Sequence, residues 1–441
     1  MLSDIVTNNY QITEVTNPNG LFDKKIDVDL IEKEKNSLAL AWRELNQEER
    51  EQYKNKIANF FKEKLTQYSE DELTKAKNYS LLTREAKSRI EEPPKIDLIS
   101  IDNIHMNQSL MELIENLENI NHIKGLYKLR KKELSTSKNA GITTDQAKRL
   151  KNCLRQGREL FQSGKLGTLM VKPLNLFYSI TAYSYVTVIL NNPIRYSLDY
   201  LPGSHGINFI RDGLKIQFGG DIPQGTFSEL SCSFPTIQIQ NKNVNFIIDN
   251  TSSPFTYFEN KFETTIGNLL SMIPEIREYY SATTGNQSKT HPLSISIKKE
   301  TRDVCWEFQI GDGTTTPNKT SLDNAFCGFK MEERYGKYLV TVPMDQAHTI
   351  KACIFTDARG EFWFVENPFH PVILPEMCIH FLIINSFSNI MRYAPDYWGD
   401  ILLNEVDSNL SLVTRKYISA LENKFMLLVL RNISSYFPYV N

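Results

Sequence analysis

The run Lys172-Pro-Leu-Asn-Leu-Phe-Tyr-Ser-Ile-Thr-Ala-Tyr-Ser-Tyr-Val-Thr-Val-Ile-Leu190 decides how this chain folds. Read at helical spacing it is apolar nearly all round and carries the aromatics Phe177, Tyr178, Tyr183 and Tyr185. A helix that is apolar on every side belongs in the middle of a bundle. The run stops at the polar turn Asn191-Asn192-Pro193, and Arg195-Tyr-Ser-Leu-Asp199-Tyr-Leu-Pro-Gly-Ser-His205-Gly206 follows. A segment punctuated by Gly219-Gly220, Pro223 and Gly225 then leads to Phe234. The apolar half reads as core; the Gly- and Pro-rich half is where chemistry would sit.

Beyond Gly206 the periodicity changes from helical to alternating. Leu214–Phe218, Thr236–Gln240 and Val244–Ile248 read as half-buried strands. Phe262 to Tyr280 reads as helix, and a string of strands follows over 293–299, 305–310, 328–332, 338–342 and 361–365. Turn signals at Gly311-Asp-Gly313 and Arg359-Gly360 suggest an antiparallel, meander-like sheet, with Gly311-Asp-Gly313 as a hairpin turn. Helices return over Pro371–Tyr393 and Asn409 to about Tyr436.

Upstream, Leu110, Leu113, Ile114 and Leu117 mark a helix over 107–119. Thr143-Thr144 can cap another that starts near Asp145 and ends before Gly164, with Ala147, Leu150, Leu154 and Phe161 on its buried face. Asp29 to about Lys87 reads as charged amphipathic helices, and Glu91-Glu92-Pro93-Pro94 as a linker. The expected fold is α+β: a helical bundle with an inserted, mostly antiparallel β region and an N-terminal helical segment. The expected divisions are 1–92, 93–206 (first bundle part), 207–368 (β-rich insertion with one helix) and 369–441 (second bundle part).

Net charge is −2 over 441 residues, yet its distribution is uneven. From Lys124 to Lys172 there are thirteen Lys and Arg against three acids, a belt of about +10 on a body of about −12. Lys148, Lys151, Arg155 and Arg158 form a stripe beside the apolar stripe of the helix at 145–162. Two readings stand. The stripe is a phosphate-facing surface for RNA or DNA, or it is a helix face whose charges pair with acidic segments elsewhere. The six cysteines are scattered without a C-x-x-C pair, which points to free thiols in a reducing compartment. The N-terminus lacks a signal-peptide pattern and the most apolar runs are short of a membrane span, so the expectation is a cytoplasmic protein without a membrane partner.

Among the seven histidines, His205 is the best catalytic candidate because its Gly-flanked turn lets a ligand approach. Arg195, Asp199 and Ser204 are near it in sequence; the plainer reading is a histidine that caps the turn by hydrogen bonds. His380, in an apolar helix, reads as a core histidine. No G-x-S-x-G elbow, H-E-x-x-H, EF-hand, Walker or dinucleotide loop occurs, so no metal site and no cofactor are expected.

Two family resemblances add to this. Trp42-Arg-Glu-Leu45 through Glu49-Arg50, Tyr53 and Lys56, within 36–65, resembles the later helices of an HMG box; a plain amphipathic helix pair with Trp42, Leu45, Tyr53 and Ile57 buried explains the same residues. Over roughly 145–400 the chain resembles the YaaC-like family of bacterial proteins. The matching pieces are Ala147–Phe161 leading into Lys172–Tyr178, the Ser204-His205-Gly206 turn, and Phe369-His370-Pro371 with Ser386–Trp398. That family is largely uncharacterised, and its bundle is similar to HEPN-type domains, many of which bind or cleave RNA in host-defence systems. A HEPN nuclease would show R-x(4–6)-H on a late helix. Here Arg431-Asn432 has no His after it, and neither Arg392 nor Arg195 has one at that spacing.

The expected function is therefore a non-catalytic binding or assembly protein, nucleic-acid-associated through Lys148, Lys151, Arg155 and Arg158. It would serve a bacterial defence or stress system, with a protein partner or a second copy of itself. The alternative is a HEPN-related ribonuclease or other hydrolase with Arg195, Asp199, His205 and Arg392 around a cleft.

Overall fold

The computed structural model describes residues 97–133, 141–192, 195, 197–234, 258–299, 304–403 and 408–441. The HMG-like stretch and the strands expected at 236–240 and 244–248 lie outside the described residues. The chain divides into two units, Met1–Glu92 and Pro93–Asn441, and the second is described here.

The second unit opens with strand β1 (Asp97–Ile101) and helices α1 (Met106–Leu117) and α2 (Ile120–Glu133). Helix α3 (Thr144–Leu166) begins in a capping box. The Thr143 hydroxyl accepts from the Gln146 N–H at 3.2 Å, and the Gln146 carboxamide oxygen accepts from the Thr143 N–H at 3.3 Å. Gly164 does not end this helix. Ala147, Leu150, Leu154, Gly157, Phe161 and Gly164 form one buried stripe, and both glycines face helix α4 (Lys172–Asn191). A Cβ at Gly157 would stand 2.7 Å from the Tyr183 ring, and one at Gly164 would stand 3.1 Å from Leu176. Glycine inside a helix costs about 0.5–1 kcal/mol relative to alanine. Here it lets two helices approach closely enough to seat Tyr183, which is 0% exposed.

As its composition requires, α4 is enclosed on nearly all sides, with fourteen buried residues. Three of its hydroxyls are satisfied internally: Thr181, Ser184 and Thr187 donate to the carbonyls of Phe177, Ile180 and Tyr183. Ser179 donates across to the Gly157 carbonyl at 2.7 Å.

After α4 come β2 (Asn208–Ile210), β3 (Lys215–Gly219), α5 (Thr226–Ser231), β4 (Lys261–Thr265), α6 (Ile266–Leu270) and α7 (Arg277–Thr284). The helix expected from Phe262 thus begins with a strand, because Phe262 pairs with Phe218 in the antiparallel sheet β2-β3-β4. Next are β5 (Thr290–Lys299), β6 (Val304–Ile310), α8 (Lys319–Ala325), β7 (Lys330–Arg334), β8 (Lys337–Pro343), β9 (Cys353–Thr356) and β10 (Phe362–Val365). They form an antiparallel sheet in the order β7-β8-β6-β5-β10-β9 over a separate core around Trp306, Phe308, Phe326 and Phe364. The Gly311-Asp-Gly313 segment is not a hairpin turn; it carries the chain from β6 to α8.

The chain closes with α9 (Glu376–Tyr393), α10 (Pro395–Leu402), α11 (Ser408–Ile433) and β11 (Tyr436–Val440). Helices α9 and α11 pack on α4 through Phe177–Phe381 at 5.5 Å and Tyr183–Phe425 at 5.8 Å between ring centroids. The helix expected to reach about Tyr436 ends at Ile433, and the stretch after it is a strand parallel to β1. Arg431 fixes it: its buried guanidinium donates to the Pro438 carbonyl at 3.0 and 2.8 Å, to that of Asp357 at 2.9 Å and to that of Thr356 at 3.3 Å. Burial pushes this guanidinium down to about 10. The architecture is α+β. No helix among the described residues is long and apolar enough to cross a membrane.

The Gly157 contact predicts opposite outcomes for two glycine substitutions. Gly157→Val should lower stability by about 1–3 kcal/mol through overpacking against Tyr183. Gly125→Ala on α2, where an added Cβ meets nothing within 4 Å, should raise it by about 0.4–1 kcal/mol. Urea unfolding of the two variants checks both signs.

Candidate functional site

Among the described residues, the cations of α3 and its close neighbours sort into two groups. One group braces the bundle. Arg158, 14% exposed, bonds Glu118 on the α1–α2 junction at 2.6 Å and Glu115 of α1 at 3.0 Å. Lys172 pairs with Glu422 of α11, Lys165 bonds Asn107 at 2.5 Å, and Arg130 donates to the Ser434 carbonyl at 3.0 Å. Arg149 grips Asp199 with two bonds of 2.7 Å. The other group lies along the outer edge of α3. Lys148 is exposed, Lys151 is half-exposed, and neither makes an ion pair among the described residues. Arg155 meets only Glu159 one turn on, with both side chains more than half exposed, a pair that contributes little in water. Of the expected four-cation stripe, Arg158 is therefore a strut, and Lys148, Lys151 and Arg155 remain on the surface.

The four residues expected around a cleft fall into three sets of contacts. Arg195 is 2% exposed, and its guanidinium lies on the Glu229 carboxylate of α5, tying the exit of α4 to the β region. Asp199 serves Arg149 and the Ser197 hydroxyl, and these bonds hold its carboxyl down to about 2. The hollow beside this pair, over Ile142, Leu150 and Ile189, has a volume of about 10 Å³, room for roughly one water.

His205 and Arg392 share no hydrogen bond or ring contact among the described residues, and the Arg392 charge acts on His205 only as a lesser push on its pKa, after burial. The His205 ring stands edge-on to Phe177 at 4.8 Å and beside Phe381 at 6.5 Å. It does not cap the turn: its Nδ1 is buried without a hydrogen-bond partner among the described residues. The backbone holds the turn instead. The Thr226 N–H donates to the Ser204 carbonyl at 2.9 Å and the Phe227 N–H to the His205 carbonyl at 3.0 Å. Gly206 (φ +71°) and Gly225 cross so closely that a Cβ on Gly225 would stand 2.2 Å from the Gly206 nitrogen. Burial and the nearby Arg392 guanidinium push the imidazole below its ordinary pKa, so it is neutral at pH 7. Arg392 bonds the Ser388 carbonyl at 3.3 Å and stacks on Tyr393. The turn offers a neutral, unpartnered base.

A third cluster was not read from the sequence. Lys424 of α11, 1% exposed, lies 2.6 Å from Glu275 and bonds Glu376 at the start of α9. His380, one turn beyond Glu376, lies 3.7 Å from it and 3.0 Å from the Tyr417 hydroxyl. The signal was Lys424 itself, a lone cation in the apolar stripe Tyr417, Leu421, Leu428. Although burial opposes its charge, the two carboxylates raise the Lys424 pKa. Burial raises Glu275, whereas for Glu376 the pull of Lys424 and His380 outweighs burial and lowers it. Among the described residues, no group of three His, Cys, Asp or Glu side chains is placed to hold a metal ion.

This cluster sets a pH dependence with a definite sign. Glu275 keeps its proton in the fold above its ordinary value of 4.5, so its share of stability is present at acid pH and falls as pH rises toward its folded pKa. Glu275→Gln should therefore unfold at higher denaturant than the wild type by a margin that grows above pH 4.5 and then levels off. Lys424→Met strands the buried Glu376 charge and should cost about 3–5 kcal/mol at neutral pH. Denaturant melts across pH check both.

No curated protein and no solved structure matches the chain. The family model described as YaaC-like Protein matches residues 115–433, from within α1 to the end of α11. That span takes in the bundle, both antiparallel sheets, the His205 turn and the cationic edge of α3. The chain belongs to the YaaC-like protein family.

Proposed function

We propose that this YaaC-like chain is a binding or assembly protein that engages the phosphate backbone of nucleic acid along the outer edge of α3. The observation that carries the reading is the sorting of the belt. Arg149, Arg158, Lys165 and Lys172 are engaged by groups elsewhere in the fold, while among the described residues Lys148 and Lys151 are not, and Arg155 is only weakly held. Cations spaced along one helix edge suit a phosphate track and carry no base readout, so binding is sequence-tolerant. Three phosphate contacts give an affinity that falls with salt on a log–log slope of about −2 to −3.

A second reading rests on the neutral His205 imidazole, whose Nδ1 is buried without a hydrogen-bond partner among the described residues. It is a hydrolase that uses His205 as base and Arg392 as the cation facing developing negative charge. Arg195 and Asp199 have no part in it, since Glu229 and Arg149 hold them. A HEPN-type mechanism has no support at Arg431, which staples β11.

One experiment separates the two. Fluorescence anisotropy with labelled single-stranded RNA and duplex DNA is followed from about 50 to 200 mM salt, a range over which three contacts lose roughly 20-fold in affinity for the single strand and roughly 40-fold for the duplex. The triple variant Lys148→Glu, Lys151→Glu, Arg155→Glu should lose most of the affinity and of the slope. Binding that survives the triple variant unchanged overturns the proposal. Cleavage of the same RNA that disappears in His205→Ala, with binding intact, supports the hydrolase.

A further inference from the structure

A second chemical constellation lies in the six-stranded sheet, at the loop joining β6 to α8. His291 of β5 is 0% exposed, and its Nε2 lies 2.9 Å from Oε1 of Glu366, just past β10. The Asn318 N–H donates to the same carboxylate oxygen at 2.9 Å. On the other side of the ring, Nδ1 lies 3.5 Å from the Thr315 hydroxyl, the long end of hydrogen-bond reach. Nucleophile–base contacts in empty enzymes are often this loose. That hydroxyl also accepts from Nη2 of Arg277 at 3.0 Å. Arg277 is held in turn by Asp312 at 3.0 Å and Glu278 at 2.9 Å, with the Trp363 ring 5.8 Å away.

The donor directions fit one arrangement. Arg277 has only protons to give, so the Thr315 oxygen receives from it and its own proton points to His291 Nδ1. The other ring nitrogen then carries the proton shared with Glu366. A hydroxyl, an imidazole and a carboxylate thus stand in line, with a guanidinium beside the oxygen that would become negative. Thr315 is half-exposed between the exposed Thr314 and Thr316, so the loop that carries the hydroxyl borders solvent while the fully buried base is behind it. A loop anchor needs only the Asp312–Arg277 pair. The buried imidazole and its carboxylate add the groups that activate an alcohol.

We propose that Thr315, His291 and Glu366, with Arg277, form a nucleophilic site for carboxylic esters of uncharged or cationic acyl groups. Two carboxylates, Asp312 and Glu278, hold the single guanidinium, a third, Glu366, stands behind the imidazole, and together they disfavour phosphate esters. The Thr315 oxygen bonds to the ester carbonyl carbon as its proton passes to His291 Nδ1. The bond from that carbon to the alcohol oxygen breaks, and the alcohol leaves with the proton. Water then attacks the threonyl ester and gives a proton to Nδ1, and Thr315 departs as the free hydroxyl carrying it. Glu366 acts as a positioning residue that fixes the ring. This site is independent of the α3 edge.

The test uses the full chain with a fluorophosphonate probe and p-nitrophenyl butyrate. The expected result is an adduct mapped by peptide mass spectrometry to position 315, with butyrate turnover. Thr315→Ser should keep both, and Thr315→Val should lose both by about 100-fold, the scale of an activated nucleophile with its base, at an unchanged melting temperature. Glu366→Gln should lower the labelling rate and shift its pH profile, which an anchoring role would not do. Absence of any adduct at position 315 in both the wild type and Thr315→Ser overturns the proposal. Labelling and turnover at the wild-type rate in Thr315→Val overturn it equally.

Discussion

The close approach of α3 and α4 is the contact on which the rest of the fold depends. An enclosed helix such as α4 must find apolar partners on every side, and the side toward α3 is met by removing side chains rather than adding them. Gly157 and Gly164 give up helix propensity so that Tyr183 and Leu176 can enter the groove. With that distance set, the remaining faces of α4 are covered by α9 and α11 through Phe381 and Phe425. The exit of α4 then fixes where Arg195 meets Glu229, and so where the β region is attached.

Charge is distributed on the same plan. Several cations that face the bundle are matched by carboxylates from other elements: Arg158 by Glu118, Lys172 by Glu422, and the fully enclosed Lys424 by Glu275 and Glu376. Buried pairs of this kind hold elements in one register more than they add net stability. Among the described residues, Lys148 and Lys151 on the outer edge of α3 have no such partner. The belt is therefore concentrated in sequence but divided in space, and only its solvent side is available to a ligand.

Much of this was legible in the sequence where periodicity is local. The apolar run at Lys172–Leu190, the Thr143 cap and the alternation in β5 and β6 each declare their element within a few residues. What was missed depends on distant partners. Gly164 reads as a stop unless the neighbouring Leu176 is known. Phe262 fits a helical pattern with Ile266 and Leu269 until Phe218 pairs with it. Tyr436–Val440 becomes a strand because Asp97–Ile101 lies beside it at the opposite end of the unit. The same holds for the sites: proximity in sequence grouped Arg195, Asp199 and His205, whereas the fold gave two of them to Glu229 and Arg149. His291 and Thr315 carry no motif, and only the sheet brings them together.

If α4 is the spine of the unit, its amides open only when the whole unit unfolds. Native-state hydrogen exchange measured against denaturant tests this most directly. Amides of Leu176 to Leu190 should fall in the slowest class, with an opening free energy equal to that of global unfolding. Exchange of these amides through a low-energy local opening, while the six-stranded sheet stays protected, would contradict it.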